Sequence, residues 1–154
     1  MGTYISQTDV ENVFGTRNVA QWSNLDQTTT VVDTARVALA ISYAETVVEE
    51  RFRGSKYAVP FTSTGSAIPV TLKDWCAKLA GVWLYENRGG RDSARDDAAV
   101  TNRIQFHKKS ALDEMDFVLS GQRRMALARS HTGPTAPSVA RVGMPRLGGR
   151  HVLP

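Results

Sequence analysis

Apolar residues recur at helical spacing in four stretches of the chain, separated by breaks rich in Gly, Pro and Ser. The first stretch is short. In YISQTDVENVFG, Val10, Val13 and Phe14 make one apolar side. Ser6 with Asp9 three residues later has the form of a capping box, and Gly15 offers a stop. A helix of two turns does not persist alone, so this one has to dock. Residues 16–29 are mostly polar and read as a loop pinned by Trp22 and Leu25.

The second stretch predicts a long helix capped by Thr30, with Asp33 at its third position, ending at Gly54. Val37, Ile41, Ala44, Val48 and Phe52 trace one line along it. Val31, Ala35, Ala38, Ser42 and Glu45 trace a second, and Val32, Leu39, Tyr43 and Val47 a third. That arc is wider than one neighbour needs, so the helix is either central or also faces another subunit. Glu49 and Arg53 form a modest i,i+4 pair. A third helix over residues 69–88 carries Leu72, Trp75, Cys76, Leu79 and Trp83, the strongest core pattern in the chain. The fourth, over residues 95–119, places Val100, Ile104, His107, Ala111, Met115 and Val118 on one packing face.

Two segments fall outside this pattern. Residues 54–70 hold two prolines and an exposed-looking Thr-Ser-Thr-Gly-Ser centre, and exceed the usual connection in a small bundle. Tyr57, Val59 and Phe61 alternate as one short extended piece that can fold against the domain. With Pro60 and Ile68 they are the loop's candidate contact residues, against the simpler reading of a surface loop with apolar anchors. From Gly121 onward the chain carries 5 of its 12 glycines and 4 of its 6 prolines. Arg123, Arg124 and Arg129 fit a short helical extension before Gly133. Arg141, Arg146 and Arg150 then recur among scattered apolar residues, a composition suited to an arm that orders on a partner. The expected architecture is mostly α: a four-helix domain over residues 1–121 with an inter-helix loop, and an extended arm over residues 122–154.

Charge sharpens that division. The chain has 154 residues and a formal net charge of +4, the size of one domain. Through Asp116 it holds 13 of its 19 basic residues and all 15 acidic ones. The remainder has six arginines and no acid, so the basic character belongs to the arm. No signal-like segment opens the chain, and no apolar run is long enough to span a membrane. One cysteine, Cys76, excludes an intramolecular disulfide and a multi-thiolate metal site.

Candidate chemistry is sparse. His107 lies on the inward face of the fourth helix and reads as a core or boundary histidine, while His131 and His151 fall in the arm. Cys76 beside Trp75 reads as a buried, inert thiol. Asp92, Asp96 and Asp97 interleave with Arg91 and Arg95, which suits the start of a helix better than a cation site. Phosphate-loop, dinucleotide, metalloprotease and calcium-loop patterns are absent from the sequence. No enzyme activity, cofactor or metal is expected.

The ordered set of features resembles the small Mu-like phage head-tail adaptor family, also called connector or head-completion proteins. The resemblance rests on YISQTDVENVFG, on the long helix running into ERFRGSKYAVPF, on LKDWCAKLAGVWLYENRG, and on the closing helix with LSGQ. It covers residues 3–122, with Lys56 before Tyr57 and Gly54 at the helix end as departures from the family pattern. It implies a structural virion protein made in the host cytoplasm and placed at the head-tail junction. Such adaptors form a homo-oligomeric ring, usually of twelve copies, below the portal protein. The ring extends the channel through which DNA passes without sequence-specific binding, and it offers a docking surface to the tail, stopper or next connector. By that analogy Arg123, Arg124, Arg129, Arg141, Arg146 and Arg150 anchor the arm on the portal or a neighbouring subunit. Two other readings stand beside it: a nucleic-acid-binding protein gripping phosphates with its arginine arm, and a helical interaction domain outside any virion.

Overall fold

The computed structural model describes residues 2–25, 30–62, 67–88 and 98–129. Among these, five helices are present: α1 (Gln7–Phe14), α2 (Thr16–Ser23), α3 (Thr34–Phe52), α4 (Val70–Glu86) and α5 (Ala98–Leu119). The body is helical as expected, but it is not a four-helix unit. The segment read as a loop with two anchors contains α2. Trp22 does anchor it, edge-on to Phe14 at 5.4 Å and to Tyr85 at 5.4 Å, whereas Leu25 is exposed. Only Val19, Ala20 and Trp22 on α2 are apolar, too few to announce a helix. Gly15 makes the helix pair possible: at φ +86° it ends α1 and begins α2 within one residue.

The start of α3 lies later than Thr30. Asp33 is its cap, its carboxylate accepting from Ala35 N at 3.0 Å and Arg36 N at 3.1 Å. Asp33 N in turn donates to Ser23 Oγ at 3.0 Å, which ties this start to the end of α2. The capping box on α1 forms as read, with Ser6 N donating to Asp9 at 2.7 Å.

α4 touches each of the other four helices. Leu72, Trp75, Cys76, Leu79, Ala80, Val82, Leu84 and Tyr85 are all buried on it, so its apolar residues point every way round. Gly81 permits the closest approach, since a Cβ there would run into the Phe14 ring. α3 runs antiparallel to α4: Phe52 stacks on Trp75 at 6.0 Å at one end, and Tyr43 meets Trp83 at 6.0 Å toward the other. α5 also runs antiparallel to α4, with Trp75 Nε1 donating to Glu114 at 3.1 Å and Tyr85 bonded to Thr101 at 2.9 Å. α3 and α5 are therefore parallel flanks of a central α4, joined at one end by the Arg51–Asp116 pair at 2.8 Å.

Glu45 on α3 is buried, in a position the apolar arc did not explain. Its carboxylate accepts three backbone amides of the N-terminal strip: Thr3 at 2.9 Å, Tyr4 at 2.6 Å and Ile5 at 3.1 Å. A buried carboxylate with three N–H donors is satisfied, and it fixes the strip against α3. Glu49 does not make the expected i,i+4 pair with Arg53; it accepts the Tyr4 hydroxyl. No described helix is long and apolar enough to cross a membrane.

Candidate assembly surface at the loop and the exit segment

Aromatic packing builds the loop after α3. Phe52, on the last turn of α3, meets Tyr57 at 5.8 Å and Phe61 at 5.4 Å, and Phe61 also meets Tyr4 edge-on at 5.6 Å. Phe61 N donates to the Tyr4 hydroxyl at 3.0 Å, so the loop is fastened to the N-terminal strip as well. Tyr57 is 2% exposed and Phe61 3%. The alternation seen in the sequence therefore turns these two inward, and their side chains are spent on the core. Val59 and Ile68 are partly buried, and Pro60, after a cis peptide bond, is exposed. Of the loop's candidate contact residues, Val59, Pro60 and Ile68 are the ones that keep some exposure.

The exit from α5 comes back to the same place. The chain turns at Gly121, with Arg123 N donating to Phe117 O at 3.0 Å. Residues 123–129 are not a helical extension; they run back along the loop. Ala58 N donates to Ala128 O at 3.0 Å, Ala128 N to Thr62 O at 2.9 Å, and Tyr57 bridges Arg129 antiparallel. Met125 N donates to the Tyr57 hydroxyl at 3.3 Å. Leu127 is 2% exposed, which joins this segment to the core. A helical extension would have left Leu127 and Met125 in water; pairing with the loop buries the first and half-buries the second. The folded unit thus reaches at least to Arg129, beyond the expected division at residue 121.

This pairing brings Lys56 to the turn at Gly121 and sets Arg129 opposite Tyr57. Arg53, Lys56, Arg123, Arg124 and Arg129 are exposed. Lys56 lies over the Tyr57 ring at 5.4 Å, and its Nζ sits 3.6 Å from where a Cβ at Gly121 would stand. Arg123 approaches Glu114 at 3.7 Å, a loose exposed contact of small energetic value. Lys56 is the functional candidate that the sequence reading passed over, having counted it only as a departure from a motif. Its signal was the aromatic neighbour Tyr57, but its proximity to the exit segment is tertiary. Arg141, Arg146 and Arg150, with His131 and His151, lie outside the described residues, as do Asp92, Asp96 and Asp97.

The ionisable groups elsewhere serve structure. Burial pushes the Cys76 thiol well above its ordinary range, leaving it protonated and unreactive. His107 is half-buried edge-on to Phe14 at 5.2 Å. Its pKa is lowered, first by burial and then by Lys78 and Arg103, with Asp74 opposing. Among the described residues no cluster of His, Cys, Asp or Glu has the form of a metal site.

Comparison with protein families gives a match to the model described as Bacteriophage Mu, Gp36 over residues 4–144. Comparison with curated proteins gives no match. The family match begins at the N-terminal strip that Glu45 holds and continues well past the loop and the exit segment. It thereby includes Arg123, Arg124, Arg129 and Arg141, which the resemblance ending at residue 122 left out. With helical body and paired exit segment both inside that span, the chain belongs to the Bacteriophage Mu, Gp36 family, and its role is that of a structural head-tail adaptor protein of a tailed phage.

Proposed function

We propose that copies of this chain form a ring, usually of twelve, at the head-tail junction below the portal. The ring extends the DNA channel and presents a surface to the tail, stopper or next connector. The observation that carries this reading is the convergence of loop and exit segment on one end of the bundle. There Lys56, Val59 and Pro60 lie on the loop strand that pairs with the segment ending at Arg129. The arm beginning at residue 130 leaves from this end and carries Arg141, Arg146 and Arg150 to the portal or a neighbouring subunit. Twelve arms docking together multiply a weak individual contact, because each bound arm raises the effective concentration of the rest.

The test is co-assembly of the full chain with the portal protein, followed by mass measurement, beside a chain ending at Arg129. The expected result is a ring–portal complex for the full chain and its loss on truncation, with folding retained. Undiminished docking by the truncated chain would overturn the role of the arm, and failure of the full chain to associate would overturn the adaptor placement. Phosphate gripping by the arginines is the competing outcome, read as salt-dependent DNA binding that disappears with the arm.

A further inference from the structure

Besides Leu25, Val31 and Val70, which lie at or beyond helix ends, the large apolar side chains exposed among the described residues fall on two different helices. On the outer face of α3, Leu39 is 63% exposed and Tyr43 52%, with Thr46, Glu50 and Arg53 continuing the same stripe. On the outer face of α5, Phe106 is 67% exposed, and Asn102, Lys109, Asp113 and Phe117 share its stripe. These helices flank α4, so the two stripes face away from each other. The α3 stripe does not fit an antiparallel copy of itself, because its apolar end, Leu39 and Tyr43, would meet its charged end, Glu50 and Arg53. Two unlike faces on opposite flanks are what a head-to-tail contact requires.

We propose that the α3 stripe of one copy packs against the α5 stripe of a second copy, forming the lateral junction of the assembly. This rests on the ring reading above and names the surfaces that make it. α3 and α5 are parallel within the subunit, and a many-fold rotation turns them only slightly, so they meet nearly parallel across the junction. The charges agree with that direction. At roughly 1.5 Å per residue, Glu50 and Arg53 lie about 10 and 15 Å along the axis beyond Tyr43, while Lys109 and Asp113 lie about 4.5 and 10 Å beyond Phe106. Sliding one helix by about one turn brings Glu50 level with Lys109 and Arg53 level with Asp113. Phe106 then enters beside Tyr43 and Thr46. Within the subunit none of these four charges forms an ion pair with another described residue, so the junction supplies partners that the fold does not.

The test is cysteine cross-linking of the full chain, alone and with portal protein, so that a ring closing only on its partner is also captured. Thr46→Cys and Phe106→Cys are level in this register, and Ser42→Cys with Asn102→Cys gives a second pair at exposed positions. Cys76 is buried and does not compete. Oxidation of either double variant is expected to give a ladder of covalent dimers, trimers and longer chains, while each single variant stays monomeric. Glu50→Lys or Lys109→Glu in that background is expected to lower ladder yield by about tenfold or more, and the two together to restore it. Dimers from a single variant, equal in amount to those from the double, would overturn the head-to-tail contact. Absence of a ladder in both conditions would overturn the junction. A ladder without portal binding would instead overturn the placement below the portal and leave the junction standing.

Discussion

α4 and α5 carry similar amounts of apolar residue and use them differently. Every large apolar side chain on α4 after Val70 is buried or half-buried, because four helices surround it. α5 buries Ile104, Ala111, Met115 and Val118 on one side and leaves Phe106 and Phe117 exposed on the other. Hydrophobicity on α4 is consumed in folding the subunit; on α5, and likewise on α3, part of it remains at the surface. Substitutions in the two regions should accordingly separate stability from association.

The largest effect belongs to the centre. Trp75→Ala removes a side chain stacked on Phe52 and leaves Glu114 without its indole donor, so a loss of about 3–5 kcal/mol is expected in denaturant unfolding. A loss below 1 kcal/mol would mean that α4 is not the hub. Next comes the buried carboxylate. Glu45→Ala strands three amides of the N-terminal strip and should cost about 2–3 kcal/mol, with hydrogen exchange rising first at Thr3, Tyr4 and Ile5.

Two cuts sharpen the boundary of the body. A chain ending at Gly121 loses Leu127 and the backbone pairing with the loop, and its thermal midpoint should fall by several degrees. A chain ending at Arg129 should melt like the full protein. Equal midpoints for the two would return the division to residue 121.

Phe106→Ser is a contrast to Trp75→Ala. It should change monomer stability by no more than about 0.5 kcal/mol, since the ring is already in water.

The smallest effect is a pH slope. The His107 pKa is depressed in the fold, so the unfolded chain binds more protons as pH drops below about 6.5. Its contribution to stability is complete above that pH and is lost as pH falls from there through the folded-state value. His107→Asn should flatten stability between pH 7 and 5, measured by urea unfolding. An unchanged slope would place the acid sensitivity elsewhere, with Asp9, held low mainly by the Ser6 amide, acting at more acidic pH.

Periodicity made α3, α4 and the inner face of α5 legible, since residues such as Val37, Ile41, Val48, Leu72, Trp75 and Met115 repeat at the spacing burial demands. α2 was not legible, because three apolar residues in a polar stretch become a helix only when Trp22 finds Phe14 and Tyr85. Tyr57 and Phe61 were correctly marked as apolar positions in an extended piece. Nothing local could say that Phe52 and Tyr4 would draw both inward, away from a partner. Arg123, Arg124 and Arg129 stood out through charge alone, but their path did not, since a helix and a returning strand share that composition.

The sequence by itself determined a helical body, a glycine-punctuated chain and a charge separation between body and arm, because helix periodicity, backbone freedom at glycine and net charge are local properties. Only the tertiary structure decided that Glu45 ties down the N-terminal strip, that residues 122–129 belong to the body, and that α3 and α5 keep apolar faces outside. Each depends on which distant surfaces meet, and α4, enclosed on every side, leaves its neighbours one face each to spare.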